Sequence, residues 1–123
     1  MGNYVKLPLS GSTDGEGIVV SGTAPTLGPV IHTCVTVGAT DVGIDEVWLY
    51  AYSTATVAKE LTLRFGVTTA TGSKFTHTIT ADDLKGLVLI VPGLPGRNSK
   101  IWKASVTADG TINIWGFVNR YIS

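Results

Sequence analysis

A chain of 123 residues is one domain's worth, able to bury about two-thirds of the surface its unfolded form exposes, and its nine basic and nine acidic residues balance to a formal net charge of zero. Charged residues make up only 15% of the chain, against about 25% in an average soluble domain, which excludes the electrostatic footprint of a nucleic-acid or anionic-membrane binder and leaves little self-repulsion to keep copies apart. The single cysteine, Cys34, excludes an internal disulfide framework and a cysteine-based zinc cage, and fits synthesis in a reducing compartment.

The opening "MGNYVKLPLSG" holds one lysine and no apolar run of leader length, so no secretory leader is expected. Lys6 stands where a myristoylation signal wants Ser or Thr. The segment "NYVKLPL" reads as a strand and the "SGSTDGEG" behind it as a Gly/Ser-rich flexible loop, so residues 1–17 are expected to form an extended N-terminal arm. Further strands are predicted at "GIVVSG", "PVIHTCVTV", "DEVWLYAYST", "VAKELTLRFGV", "SKFTHTITA", "GLVLIVPG", "KIWKASVTA" and "TINIWGFVNRYI", because each is rich in β-branched and aromatic residues and bounded by Gly, Pro, Asp, Ser or Thr clusters. No segment keeps apolar residues at helical spacing; "TADDLKG" offers one helical turn at most, capped by Thr80. The fold expected is all-β: a single antiparallel β-sandwich domain over residues 1–123, jelly-roll-like, with eight to nine strands.

Within these strands the side-chain pattern separates inner from outer positions. In "ELTLRFG", Leu61, Leu63 and Phe65 point inward while Glu60, Thr62 and Arg64 point out. In "DEVWLYAYST", Val47, Leu49 and Ala51 share one face, but Trp48, Tyr50 and Tyr52 make the other apolar as well. "GLVLIV" is also apolar on both faces and is expected to be central in its sheet or covered from outside the domain. Its length falls far short of the eighteen or so apolar residues of a membrane helix. The Asp-Gly of "ADG", residues 108–110, predicts a tight hairpin joining the last two strands.

Candidate chemistry is sparse. His32 and Cys34, two apart in a strand, project to one side as a metal-ligand or nucleophile pair would, yet no third orienting group is nominated. His77 shares a face with Phe75 and Ile79 and is expected at a core margin. The acidic pairs Asp14 with Glu16, Asp45 with Glu46, and Asp82 with Asp83 lack EF-hand spacing and read as solvated turn and strand-end groups. "PGLPGRNSK", with Arg97 and Lys100, runs into a strand and not a helix, so it is a connection and no phosphate cradle. No catalytic, metal or cofactor residue is therefore nominated, and no cofactor is expected. The aromatic residues Tyr4, Trp48, Tyr50, Tyr52, Trp102, Trp115 and Phe117 lack interleaved basic residues, so they point to a protein interface before a base-stacking platform.

Four stretches, "YVKLPLSGSTDG", "DEVWLYAYS", "GLVLIVPGLPG" and "GFVNRY", together resemble small structural proteins that tailed bacteriophages encode beside the major capsid gene, of the capsid decoration or cement kind. The resemblance spans the chain but its motifs are structural, with no catalytic residue to transfer. It implies a non-enzymatic virion protein made in the host cytoplasm, a homotrimer seated on the outer capsid surface, with the major capsid protein and itself as partners, neither nucleic acid nor membrane, and capsid stabilisation as its role. A head-fibre or tail-associated receptor- or carbohydrate-binding module is the alternative, and an enzyme on a β-sandwich ranks last for want of convergent polar residues.

Overall fold

A computed structural model describes residues 3–21, 29–36, 43–66, 74–79, 86–107 and 111–122. They form nine strands and, among the described residues, no helix: β1 (Asn3–Pro8), β2 (Ile18–Val19), β3 (Val30–Thr33), β4 (Gly43–Ser53), β5 (Lys59–Phe65), β6 (Lys74–Ile79), β7 (Val88–Gly96), β8 (Ile101–Val106) and β9 (Ile112–Ile122). Two antiparallel sheets face each other as a sandwich. Sheet A has the order β1-β9-β4-β7 with β2 also on β9, and sheet B the order β3-β8-β5-β6.

The central pair of sheet A is β4 and β9, joined without a register shift from Gly43 opposite Ile122 to Ser53 opposite Ile112. Inward and outward residues alternate strictly along β4, with Gly43, Asp45, Val47, Leu49, Ala51 and Ser53 all buried. Val118, Ile114 and Ile112 of β9 continue that inner wall. Sheet B answers with Leu61 and Leu63 of β5 and with Trp102, Ala104 and Val106 of β8. Removing side chains of this size from water at roughly 1.5–3 kcal/mol each supplies the main driving force for folding. Gly116 lets β9 approach β4 closely, since a Cβ there would lie 2.1 Å from the carbonyl oxygen of Trp48.

Several expectations are corrected. Residues 3–8 do not reach away as an arm: β1 pairs with β9 of its own chain along its whole length. In the loop behind it, Ser12 Oγ donates to the Glu16 carbonyl at 2.7 Å and the Gly11 amide to the Ile31 carbonyl at 3.0 Å. The "ADG" hairpin does not form, because β8 belongs to sheet B and β9 to sheet A, so the connection crosses between sheets; residues 108–110 themselves lie outside the described residues. Of the two alternatives for "GLVLIV", the central one is excluded, since β7 lies at the end of sheet A; its outward Leu89 and the preceding Leu87 are exposed. Trp102 is not on an interface: it alternates inward with Ala104 and Val106, is 1% exposed, and packs its ring 4.6 Å from that of Phe65. The turn expected at Thr80 and the pair Asp82 and Asp83 fall outside the described residues, as does the side chain of Phe75. His77 is half-buried, on the same side as buried Ile79.

Candidate functional site

Two features stand apart from the apolar core: a buried polar network at one end of the sandwich, and the outward face of sheet A.

The network joins three strands. Alternation along β4 carries Asp45 inward two positions before Val47, and the register sets Arg120 of β9 directly opposite it. Arg120 grips the carboxylate in a fork, with Nε to Oδ1 at 2.7 Å and Nη2 to Oδ2 at 3.0 Å. From sheet B, His32 Nε2 lies 2.7 Å from Asp45 Oδ2, and the Val35 amide donates to the same oxygen at 3.0 Å. The Ser10 amide donates to His32 Nδ1 at 3.0 Å. A nitrogen that accepts from an amide carries no proton, so the ring is the neutral tautomer protonated on Nε2, which donates to Asp45.

The charges follow from these bonds. Burial pulls the His32 pKa below its ordinary value despite the bond to Asp45 and its charge. Burial alone would push Asp45 up, but the bonds from Arg120 and His32 outweigh it and hold the carboxyl below its usual range. Arg120 is held more firmly protonated by its bond to Asp45. Cys34 is buried near the carboxylate, and burial, reinforced by the charge of Asp45, raises its thiol to about 12.

His32, Cys34 and Asp45 bring one ligand atom each within 4.8 Å of one another, as a metal set would. Their lone pairs are already used. Nδ1 of His32 accepts from Ser10, Nε2 holds the proton given to Asp45, the carboxylate accepts four hydrogen bonds, and Cys34 stays a thiol at neutral pH. The guanidinium occupies the cation's place. A Cys-His nucleophile pair fails for the same reason, because the histidine has no free nitrogen to take a proton from sulfur. The arrangement is a staple between the sheets, and it corrects the reading of Asp45 as a solvated strand-end acid: it is 0% exposed. Its neighbour Glu46 turns the other way, accepting from Trp48 Nε1 at 2.8 Å and Asn119 Nδ2 at 3.2 Å. Those bonds, Trp48's first, lower its pKa. Asp14 and Glu16 remain on the exposed loop.

The outward face of sheet A gathers six of the seven candidate aromatics. Register places Tyr4 beside Tyr121 and Ile44, Phe117 beside Trp48, and Trp115 beside Tyr50, with Tyr52 next along β4. The Trp48 and Phe117 rings stack 6.1 Å apart with planes 9° from parallel, and Lys6 Nζ sits 4.7 Å above the Phe117 centroid. Tyr4 and Tyr121 rings lie 5.0 Å apart. Gly93, at φ +77°, passes beneath the Trp48 indole where a Cβ would come within 2.9 Å. Trp48, Tyr50, Tyr52 and Phe117 are half-buried, whereas Trp115 is 40% and Tyr4 73% exposed. Two shallow clefts indent the face, one of about 200 Å³ among Tyr4, Ile44, Glu46, Gly93, Pro95, Asn119 and Tyr121, the other of about 290 Å³ among Tyr52, Leu87 and Trp115. Sheet B lies on the opposite side, and among the described residues no strand covers these rings.

Tyr121 and Arg120 were not singled out from the sequence, although "FVNRYI" alternates and could have placed Arg120 inward with Val118 and Tyr121 outward with Phe117. Comparison with family models, curated proteins and solved structures finds no match for the chain.

Proposed function

We propose that this chain is a non-enzymatic structural protein of a phage particle, a decoration protein that seats the aromatic outer face of sheet A against the major capsid protein on the outer surface of the shell. The observation that carries the reading is the uncovered row of Tyr4, Trp48, Tyr50, Tyr52, Trp115 and Phe117. Contiguous aromatic surface on a low-charge domain is what an interface buries. The resemblance of four stretches to decoration proteins supplies the particle, and burial of this face across capsid subunits would add the cohesion that resists outward pressure from a packaged genome. A sugar-binding role is the second reading, favoured by one observation: the cleft at Tyr4 and Tyr121 combines aromatic walls with the hydrogen-bonding groups of Glu46 and Asn119.

The test compares Trp48→Ala with Leu63→Ala, scored for melting and for co-sedimentation with purified phage shells. Leu63 is fully buried, so its truncation should cost about 2–5 kcal/mol of stability. Trp48→Ala should leave a folded protein whose shell binding weakens by about 2 kcal/mol or more, the loss common to an aromatic anchor. Undiminished shell binding by Trp48→Ala, or no binding by the parent chain, would refute the reading. Saturable glycan binding lost on Tyr121→Ala would move the assignment to the second.

A further inference from the structure

Independently of what covers the outer face, we infer that the free edge of β1 is a self-pairing surface: two copies of the chain join their β1 strands antiparallel about a two-fold axis at Val5, fusing two sheets A into one. An unpaired strand edge presents a row of amide and carbonyl groups that template another strand unless something guards it. The other edges are guarded. β7 carries Pro92 and Pro95, which cannot donate, has Gly93 at φ +77°, and shifts register twice against β4. β3 has four residues and a register shift between Val30 and His32. β6 is regular, but its outward Thr76 and Thr78 are polar and exposed.

β1 differs on each count. Its register against β9 is unbroken from Asn3 to Pro8, with a proline only at the last position, and among the described residues no strand pairs with its far side. Both of its faces are apolar and open. Tyr4 on the outer face is 73% exposed, and Val5, on the inner side opposite Arg120, is still 50% exposed. The one charge in the strand, Lys6, is drawn back over the Phe117 ring and does not project past the edge as a guard would.

The axis position follows from pairing. Centred on Val5, two antiparallel strands set the valines against each other and Lys6 opposite the uncharged Tyr4 of the second copy, so no like charges are directly opposed. Centred on Lys6, two ammonium groups would oppose each other, which is unfavourable. A net charge of zero adds no long-range repulsion between copies. Such a contact closes after two copies, so by itself it builds a dimer and not the homotrimer implied by the resemblance. A single strand pair is small beside a standard interface, and the dimer should dissociate on dilution.

The experiment uses the full chain. Light scattering across a concentration series should show mass rising from 12.9 kDa toward twice that value. In a Cys34→Ala background, Val5→Cys should cross-link on mild oxidation at least about tenfold faster than Tyr4→Cys, because directly opposed residues have the Cα separation a disulfide needs and residues two positions out of register do not. Val5→Glu should hold the mass at 12.9 kDa with melting not lowered, since the half-exposed position faces Arg120 in the monomer whereas two glutamates would oppose each other across the axis. That variant leaves the Trp48 face intact, so dimerisation and shell binding can fail separately. A monomer at every concentration without Val5→Cys cross-linking, a trimer mass, or faster cross-linking by Tyr4→Cys would each overturn the inference.

Discussion

Replacing Asp45 with Ala would withdraw the acceptor that three residues, His32, Val35 and Arg120, share in the sandwich interior. The His32 Nε2–H and the Val35 amide would be left without their partner, and a buried donor so orphaned costs about 1–3 kcal/mol. Arg120, 26% exposed, can turn its guanidinium to water, so its share is smaller than that of a sealed charge. The sum falls at about 3–5 kcal/mol, the usual cost of removing one member of a buried pair, and below the upper range of total stability of about 5–15 kcal/mol. With an unfolding entropy near 0.25 kcal/mol/K for a chain of this length, melting should drop by about 12–20 °C. Urea and thermal unfolding at neutral pH would measure it, with Glu46→Ala on the opposite face of the same strand as the control, expected within about 1 kcal/mol. Removing the whole network should behave differently: His32→Leu, Asp45→Leu and Arg120→Met combined should recover part of the loss, because no charge is then stranded, although the Val35 and Ser10 amides still lose their acceptors. A drop for Asp45→Ala no larger than that for Glu46→Ala, or a triple variant as unstable as Asp45→Ala, would refute the reasoning.

Two further predictions concern titration and the thiol. Since His32 is neutral in the fold with its pKa below the ordinary 6.5, the unfolded chain binds more protons once pH falls under that value. Stability should therefore hold above about pH 6.5 and decline below it, with a second decline under the ordinary 3.8 of Asp45, whose folded pKa is also lowered. Chemical denaturation across pH would show both limbs, and His32→Gln should remove the upper one; a stability that rises on acidification from pH 7 to 5 would contradict the assigned tautomer. Cys34, its thiol raised to about 12, should resist alkylation in the native state, Cys34→Ala should cost only about 1–2 kcal/mol, and neither zinc nor a chelator should move the melting temperature. A zinc-dependent rise would show that the metal can displace Arg120.

What the sequence made legible depended on how local the determinant was. β-branched runs bounded by turn residues are a property of each segment, and so the strands could be placed by reading along the chain. Which strands pair is a property of the whole. The Asp-Gly at 109–110 looks like a hairpin from inside its own window, yet β8 and β9 go to opposite sheets. "GLVLIV" shows apolar residues on both faces whether it is central or at an edge, and only the position of β7 decides between them. Trp102 and Trp48 are the same residue type in the same kind of strand; the small apolar neighbours Ala104 and Val106 were the available sign that Trp102 turns inward. The network was hidden for a related reason. Asp45 and Arg120 are 75 positions apart, and reading Asp45 beside Glu46 as an acidic pair obscured that alternation sends one into the interior and the other to the surface.

That alternation also bears on how β4 finds its register. A strand apolar on both faces is poorly specified by hydrophobic burial alone, since a slip of one residue exchanges the faces with little change in the oil buried. In β4 the slip would drive Trp48, Tyr50 and Tyr52 into an interior built around Val47, Leu49 and Ala51, and would turn Asp45 out to water while bringing Glu46 in. Slipped one way, Arg120 would stand opposite Ile44 and no carboxylate; slipped the other, it would meet Glu46, one methylene longer than the side chain its fork now holds, and in either case Gly116 would no longer stand where the Trp48 carbonyl needs the space. The polar staple, costly to bury, thus acts with that glycine to fix which of two greasy faces becomes the core, a recognised use of buried polar groups. The outer face is free to be aromatic because the inner one is specified by something other than oiliness. On this argument the staple and the proposed docking surface are two halves of one arrangement carried by alternate residues of a single strand.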